Sequence, residues 1–600
     1  MHSALSVPAQ PADVHTARAP TRPSARDAVL VLGALLLGFV AATGARVLNV
    51  PDEGRYAEVA RWMLRSGDWV TPRLDGVPFL DKPPLFYWLE AVSFAIFGVG
   101  HGSARLVTAL LGFAGCAMVY VAGTRVYGRR AGLLGALVLA ANPYYFFASQ
   151  YVNHDLAVST WITAALLAFA IGDRREGRAR LGWLLAGYGA MGLAVMTKGL
   201  IGLVLPLGAV GLFVVATVRW REVPRYALPA GLAVIAAVAV PWHLLAQQRN
   251  PDLLHYLFVV QHFQRFAGSG FNNPTGPAFY PAVILAGLLP WSPLLPAALH
   301  RAWRAFRADR LAGRTDLLLL AWAALVVVFF SIPESKIAGY VLPALPPLAL
   351  LVGRELDEVL AGEATAARAL RVASGAMALL GLGVAAAPFV VTRLPHPLPP
   401  LSTGIAAGVV VAGVLALAAA GVTFRAARSR PALAVGAMLA FSLVFFAGAL
   451  PAIPEFTRDS TLPLAQAIRA QSREGDVVAT WRRWFYDLPI YLDRSGPILV
   501  AERWDDPEIP RRDNWQRELL LGRQREPRSE AWLVSPEALA ARCRPEARCF
   551  VLARDRDVAE ATSLLGGAVP LARANGVTLL ATRAVAAPPA QTAQGERAAP

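Results

Sequence analysis

Cysteine is nearly absent, with three residues in a chain of 600. None stands in a metal-type pattern, which argues against a thiolate metal centre. Cys116 sits inside an apolar run and reads as a small core residue. Cys543 and Cys549 flank the stretch RPEAR and would close a short disulfide loop if that region faces an oxidising compartment. Charge is scarce as well, at 16% of residues against 56% hydrophobic, and the mean hydropathy is +0.45. A soluble protein of this size does not carry so many continuous apolar runs, so the chain reads as a polytopic α-helical membrane protein. Acids are outnumbered by Lys and Arg, 41 to 57, for a formal net charge of +16. The Arg residues fall in short clusters between apolar runs, the pattern of cytoplasmic loops, which argues against nucleic acid as a partner. Residues 1–26 lack any apolar core, so they read as a disordered cytoplasmic tail rather than a signal peptide. The first apolar run, 27–48, lacks a small-residue cleavage site and is expected to stay in place as an anchor.

With roughly 20 apolar residues per crossing, spans are expected near 27–48, 104–124, 131–149, 153–172, 181–197, 199–217, 226–246, 278–299, 316–332, 338–353, 369–391, 403–423 and 431–451, about thirteen in all. The run at 84–100, PLFYWLEAVSFAIFGVG, is short, follows Pro83 and contains Glu90; it reads as a juxtamembrane or re-entrant helix. If the N-terminus is cytoplasmic and 84–100 does not cross, every Arg-rich loop, among them TRVYGRR, GDRREGRAR and HRAWRAFRADRLAGRT, lands on one side. The same arithmetic puts residues 452–600 outside. There the apolar runs shorten to DVVAT, PILVA, AWLVS, CFVLAR and VTLLAT, spaced by polar and helix-compatible stretches, which predicts a soluble α/β domain over 452–585 and a disordered tail over 586–600. The membrane domain is then 27–451, with an outer loop at 49–103.

On this topology the polar residues of the outer face are not scattered. The first outer loop holds Asp52, Glu53, Arg55, Asp81 and Lys82. The turn YVNHD adds His154 and Asp155, and MTKG adds Lys198. The long loop 247–277 adds His262 and Arg265, and PESKIAGY adds Lys336 and Tyr340. Ionisable groups at a membrane edge are costly and by default functional candidates, although any one of them can simply be solvated or paired locally. Grouped Lys and Arg at the lipid boundary suit a phosphate, and a carboxylate able to take a proton suits activation of a hydroxyl. Together they describe glycosyl transfer from a polyprenyl phosphate sugar. An ion or proton transporter would place its carboxylates near the midplane, where these spans are almost free of charge.

The stretch PDEGRYAEVARWMLRSGDWVTPRLDGVPFLDKPPLFYWL closely resembles the first periplasmic loop of bacterial GT-C transferases of the ArnT and protein O-mannosyltransferase superfamily. NHD, MTKG, HFQRF and SKIAGYVLPALPPLAL extend the resemblance over 27–355. The resemblance implies a GT-C fold in the bacterial inner membrane and an inverting transfer from undecaprenyl phosphate on the periplasmic side. It implies no nucleotide cofactor, and the chain is expected to act as a monomer. In ArnT itself the sugar is 4-amino-4-deoxy-L-arabinose and the acceptor a lipid A phosphate, a change that confers polymyxin resistance. Carried over, Asp52 is the principal catalytic carboxylate and Asp155 a second acid, while Arg55, Lys82, Arg265 and Tyr340 hold the lipid phosphate. Asp81 and His262 match positions associated with a divalent metal such as zinc. This sequence reads DKPP where ArnT relatives usually show EKPP, which shortens the reach of that carboxylate.

Several alternatives stay open at this stage. The acceptor is lipid A, another envelope glycolipid, a periplasmic protein or a cell-wall polymer. A polyprenyl-lipid transporter would bind the same lipids without chemistry. Glu53, Lys198, Lys336 and His154 are further site candidates: Glu53 as a support for its loop or for Arg55, and His154 either in a proton relay with Asp155 or hydrogen-bonded locally. The soluble tail is expected to cover the outer cavity or to help recognise the acceptor.

Overall fold

The computed structural model describes residues 25–217, 220–264, 275–362, 366–394, 400–456, 460–544, 546–582 and 585. Among these, eight helices are long and apolar enough to cross a bilayer, from His101–Val126 to Pro431–Pro454. Two further candidates are bent. Arg129–Ala140 and Pro143–Ser149 meet at 66°, and Phe279–Gly287 and Ser292–Ala308 meet at 112°, so the spans expected at 131–149 and 278–299 are broken. Each break has a local cause. Asn142 caps the second helix of the first pair, accepting from the Tyr145 amide, with Pro143 at its first position. Pro290, which lacks an amide hydrogen, lies between the helices of the second pair. Val29–Ala41 and Ile201–Thr217 are apolar helices shorter than these eight. The span expected at 338–353 is a 3₁₀ turn, Ala338–Ala344, running into the helix Leu345–Leu360. Leu85–Phe97 is a short apolar helix with Val92, Ile96 and Phe97 exposed and Glu90 fully buried.

Charges collect at the two ends of the helical bundle. At the end away from His154, Arg314 pairs with Asp173, Arg354 with Asp316 and Arg301 with Glu355. Between the ends the helices pack apolar faces, which suits a hydrocarbon medium where an unpaired charge costs several kcal/mol.

The last part of the chain holds a six-stranded sheet. After a small hairpin, β1 (Arg73–Leu74) and β2 (Val77–Pro78), come β3 (Val477–Trp481), β4 (Leu499–Ala501), β5 (Leu533–Val534), β6 (Cys549–Arg554), β7 (Val569–Ala574) and β8 (Val577–Ala581). The order is β5-β4-β3-β6-β8-β7; β5 to β6 run parallel, and β8 and β7 return antiparallel. Parallel strands covered on both faces read as near-continuous apolar runs, as CFVLAR does, while the edge strand β7 is largely exposed. Cys543 forms a disulfide with Cys549, the first residue of β6.

One core joins this sheet to the first outer loop. Leu48, Ala57, Met63, Phe79 and Phe86 pack in the same buried cluster as Leu464, Trp484, Leu488, Phe550 and Leu579. The seam is also polar: the Leu48 amide donates to the Tyr491 hydroxyl at 2.8 Å, the Ile498 amide to Asp75 at 2.9 Å, and Arg73 pairs with Glu526 at 3.0 Å. The loop 49–103 therefore shares its core with the C-terminal sheet as well as following the first membrane helix.

Candidate functional site

Asp52 and Glu53 open the helix Asp52–Ser66, where two acids in the first turn oppose the positive end of the helix dipole. Gly67, at φ +70°, closes it with its amide on the Met63 carbonyl. Adjacent residues on a helix point about 100° apart, and these two carboxylates meet opposite surroundings. Glu53 is fully buried, whereas the Asp52 side chain is 39% exposed.

Glu53 is saturated with donors. Arg105 reaches it from Nε at 2.9 Å and Nη2 at 2.8 Å, Arg46 adds a second guanidinium, and the amides of Asn49 and Val152 donate at 2.7 and 3.0 Å. Burial pushes its carboxyl up, but the Arg105 and Arg46 charges outweigh that and hold it below its usual value. Glu53 is thus a tie between the first loop, the start of helix His101–Val126 and the turn before His154. It does not support Arg55.

Among the described residues Asp52 has only loose partners. Arg55 Nη1 lies 3.4 Å from Oδ1, and the Tyr151 hydroxyl donates to Oδ2 at 3.4 Å. Arg55 in turn faces the C-terminal domain. Its guanidinium sits 4.9 Å from the Tyr486 ring and 3.2 Å from Glu518, and the Tyr486 hydroxyl donates to Glu518 at 2.6 Å. Burial alone would lower the Arg55 pKa; Tyr486, Glu518 and Asp52 more than offset it, so Arg55 stays a cation. The approach needs Gly54: a Cβ there would stand 2.8 Å from the Tyr486 carbonyl carbon.

From Arg55 the cluster continues inward. Tyr56 meets the His154 ring at 4.6 Å, and Phe86 and Tyr87 close on the same ring at 4.6 and 4.9 Å. Neither nitrogen of His154 has a hydrogen-bond partner among the described residues, so the relay with Asp155 is not formed, nor is a local hydrogen bond. Asp155 instead pairs with Lys198, whose ammonium lies 4.5 Å over the Tyr340 ring. Asn153 caps this helix by accepting from the Asp155 amide at 2.7 Å, which fixes where Asp155 starts its turn. Asp52, Arg55, His154, Asp155, Lys198 and Tyr340 thus form one connected constellation. Lys82 adds its positive charge beside His154 and donates to the Asp81 carbonyl at 3.0 Å.

Other expected residues stand apart or out of view. Lys336 is buried and donates to the carbonyls of Thr275 and Pro333, which makes it a loop tie rather than a free cation. Arg265 lies outside the described residues, as does the side chain of His262. Asp81 accepts from the Tyr256 hydroxyl at 2.7 Å and from Gln261 at 3.3 Å. No three His, Cys, Asp or Glu side chains gather for a metal among the described residues. A cation at Asp81 would need ligands from beyond them.

Four residues of this region escape a reading of the sequence. Glu518 and Tyr486 lie more than 400 positions from Arg55 and carry no local signal. Tyr151 stands in the quoted YVNHD turn. Arg105, an ionisable residue inside an apolar run, is the one that the cost of membrane charge would have flagged.

The profile of the family described as dolichyl-phosphate-mannose-protein mannosyltransferase matches residues 81–244. The crystal structure of ArnT from Cupriavidus metallidurans bound to undecaprenyl phosphate superposes with a TM-score of 0.80 at 28% identity, covering 94% of this chain and 100% of that one. The chain thus shares the fold of that ArnT structure along nearly its whole length. Its sequence is also similar to undecaprenyl phosphate-alpha-4-amino-4-deoxy-L-arabinose arabinosyl transferases. The one from Edwardsiella ictaluri is 34% identical over 358 residues, 59% of this chain and 63% of that protein. One from Sodalis glossinidius is 36% identical over 348 residues, 56% and 61% of the two chains. The chain thus matches just under two thirds of the length of these curated relatives.

Proposed function

We propose that this protein is an inverting glycosyltransferase that moves a sugar from undecaprenyl phosphate to an acceptor at the outer face of the bacterial inner membrane, with a lipid A phosphate as the acceptor. The observation that carries the reading is the open carboxylate of Asp52 beside a cationic Arg55, continuous with Lys82 and Tyr340, in a chain similar along its whole fold to a protein crystallised with undecaprenyl phosphate. In the transfer the bond between the anomeric carbon and the lipid phosphate oxygen breaks, and the acceptor oxygen attacks from the opposite face. Arg55 and Lys82, with Arg265 and Tyr340, stabilise the charge on the departing lipid phosphate. Asp52 orients an acceptor oxygen that is already anionic; with a hydroxyl acceptor it takes the proton instead.

Thirteen crossings, with the N-terminus inside and the C-terminal domain in the periplasm, remain our topology. The eight long helices, two bent pairs, two shorter apolar helices and the 338–360 segment support it, and the Cys543–Cys549 disulfide suits an oxidising compartment. The test is mass spectrometry of lipid A from cells with and without the protein, paired with transfer by purified protein from an undecaprenyl-phosphate-linked sugar. A sugar addition that depends on the protein is the expected result. Unchanged lipid A together with transfer to protein or polymer would move the acceptor, and lipid binding without any transfer would sink the enzyme reading.

A further inference from the structure

The helix Leu295–Ala308, LPAALHRAWRAFRA, follows the bend of 112° and lies at the end of the bundle away from His154, where its Arg301 pairs with Glu355 at 2.6 Å. A turn of that size lays the helix across the bundle end instead of through the bilayer. Leu295, Ala298, Ala302 and Phe306 are buried, so one face packs on the protein. At about 100° per residue, His300, Arg304 and Arg307 fall on the far side, where they are exposed, and Trp303, 48% exposed, stands on the flank between the two faces. Arg310 and the exposed Leu311 follow directly.

Arg304, Arg307 and Arg310 have no ion-pair partner among the described residues; Arg310 only lies 5.9 Å from the Phe306 ring. The one acid between Leu295 and Leu311 is Asp309, whose Oδ1 accepts from the amides of Leu311 and Ala312 at 2.8 and 3.1 Å. Water would solvate these arginines, yet it gives an exposed Trp and Leu beside them nothing to pack on. A headgroup layer suits both, since indole rings concentrate at the membrane interface and guanidiniums fork onto phosphate. A second tryptophan marks the same end: Trp220, 60% exposed, opens the turn Trp220–Tyr226, and the Tyr226 hydroxyl donates to Asp173, the partner of Arg314. A zwitterionic headgroup brings its own cation, which competes with the arginines for the phosphate. An anionic one does not.

We propose that the helix Leu295–Ala308 is an interfacial helix that holds anionic phospholipid headgroups through Arg304, Arg307 and Arg310, with Trp303 as its anchor. In the topology proposed above the leaflet is the cytoplasmic one. The leaflet rests on that topology, whereas the lipid class rests on the helix alone.

The test uses the purified full-length protein in detergent micelles, titrated with phosphatidylglycerol or with phosphatidylcholine of the same chains, bound lipid being counted by native mass spectrometry. One basic residue near an anionic surface is worth about fivefold in affinity, so phosphatidylglycerol should bind at least about tenfold more tightly than phosphatidylcholine. An Arg304→Gln, Arg307→Gln, Arg310→Gln triple variant should lose most of that preference at an unchanged melting temperature, and the corresponding Lys variant should keep most of it. A charge-matched control at the exposed Arg425, Arg428 and Arg430 of FRAARSR, each changed to Gln, should keep it in full. Trp303→Ala should weaken the binding of both lipids. Equal affinity of the wild type for the two lipids, or a preference kept in the triple Gln variant, would overturn the proposal. An equal loss in the control would reduce the site to a diffuse field of charge and overturn it too, and displacement by glycerol 1-phosphate at matched concentration would replace the membrane with a soluble phosphate. Micelles have no sides, so a wrong topology would leave all of these results as they are and move only the leaflet.

Discussion

Two neighbouring acids, Asp52 and Glu53, sit at the junction of two differently built regions. Around Glu53 every oxygen is committed, to two guanidiniums and two backbone amides in a dry interior. Around Asp52 the contacts are long and the side chain is part-exposed. The difference teaches that a carboxylate's role follows from what remains unspent on it. Glu53 has its bonding capacity used up by the fold, whereas Asp52 keeps capacity for a ligand.

The largest way to break this comparison is Asp52→Asn. Transfer should fall about a hundred- to ten-thousand-fold, the range for losing a positioned acid or base, while undecaprenyl phosphate binding and melting temperature hold. Full transfer in this variant would end the catalytic assignment of Asp52. Glu53→Gln should do the opposite, costing about 3–5 kcal/mol of stability because it leaves the buried Arg105 charge uncompensated. Its activity per folded molecule should survive. The pH dependence follows the same sign. The Glu53 carboxyl titrates lower in the folded protein than its usual 4.5, so its stabilisation is complete above that value and is lost as pH falls through the depressed folded value. Thermal melts from pH 7 down to 3 should show an acid limb that is weaker in Glu53→Gln.

A smaller effect is expected at the seam. Gly54→Ala gains up to about 1 kcal/mol of helix propensity, yet its Cβ meets backbone atoms of Tyr486 and Asp487 that cannot rotate away. A net loss of about 1–3 kcal/mol is expected, read as a lower melting temperature; an unchanged or higher one would mean that the two segments do not meet so closely. The smallest effect belongs to Glu518→Gln. The Arg55–Glu518 pair is part-exposed and worth about 1 kcal/mol or less, so the KM for the lipid donor should rise a few fold with kcat nearly unchanged, and Glu518→Asp should restore it. A fall in kcat alone would argue against positioning through Arg55.

Much of this site was legible in the sequence because its residues lie at the ends of apolar runs. Asp52, Asp155, Lys198 and Tyr340 each follow or precede such a run, and topology alone brings them to one face. What was not legible depends on packing. Lys336 looked like an available cation, but its ammonium is turned onto loop carbonyls. The bent pairs looked like single spans because hydropathy does not register an N-cap. The alternation of short apolar runs predicted strands in the tail, but no pattern within a window reveals that these strands share a core with residues 48–86.

That shared core has a consequence for biosynthesis. The first outer loop leaves the ribosome early, while its packing partners in β6 and β8 are made more than 450 residues later. Until then Leu48, Met63 and Phe79 have only part of their cover, and Arg55 has neither Tyr486 nor Glu518. The first outer loop is fully packed only when the sheet arrives, so a chain cut short before the sheet is left with an unfinished candidate site.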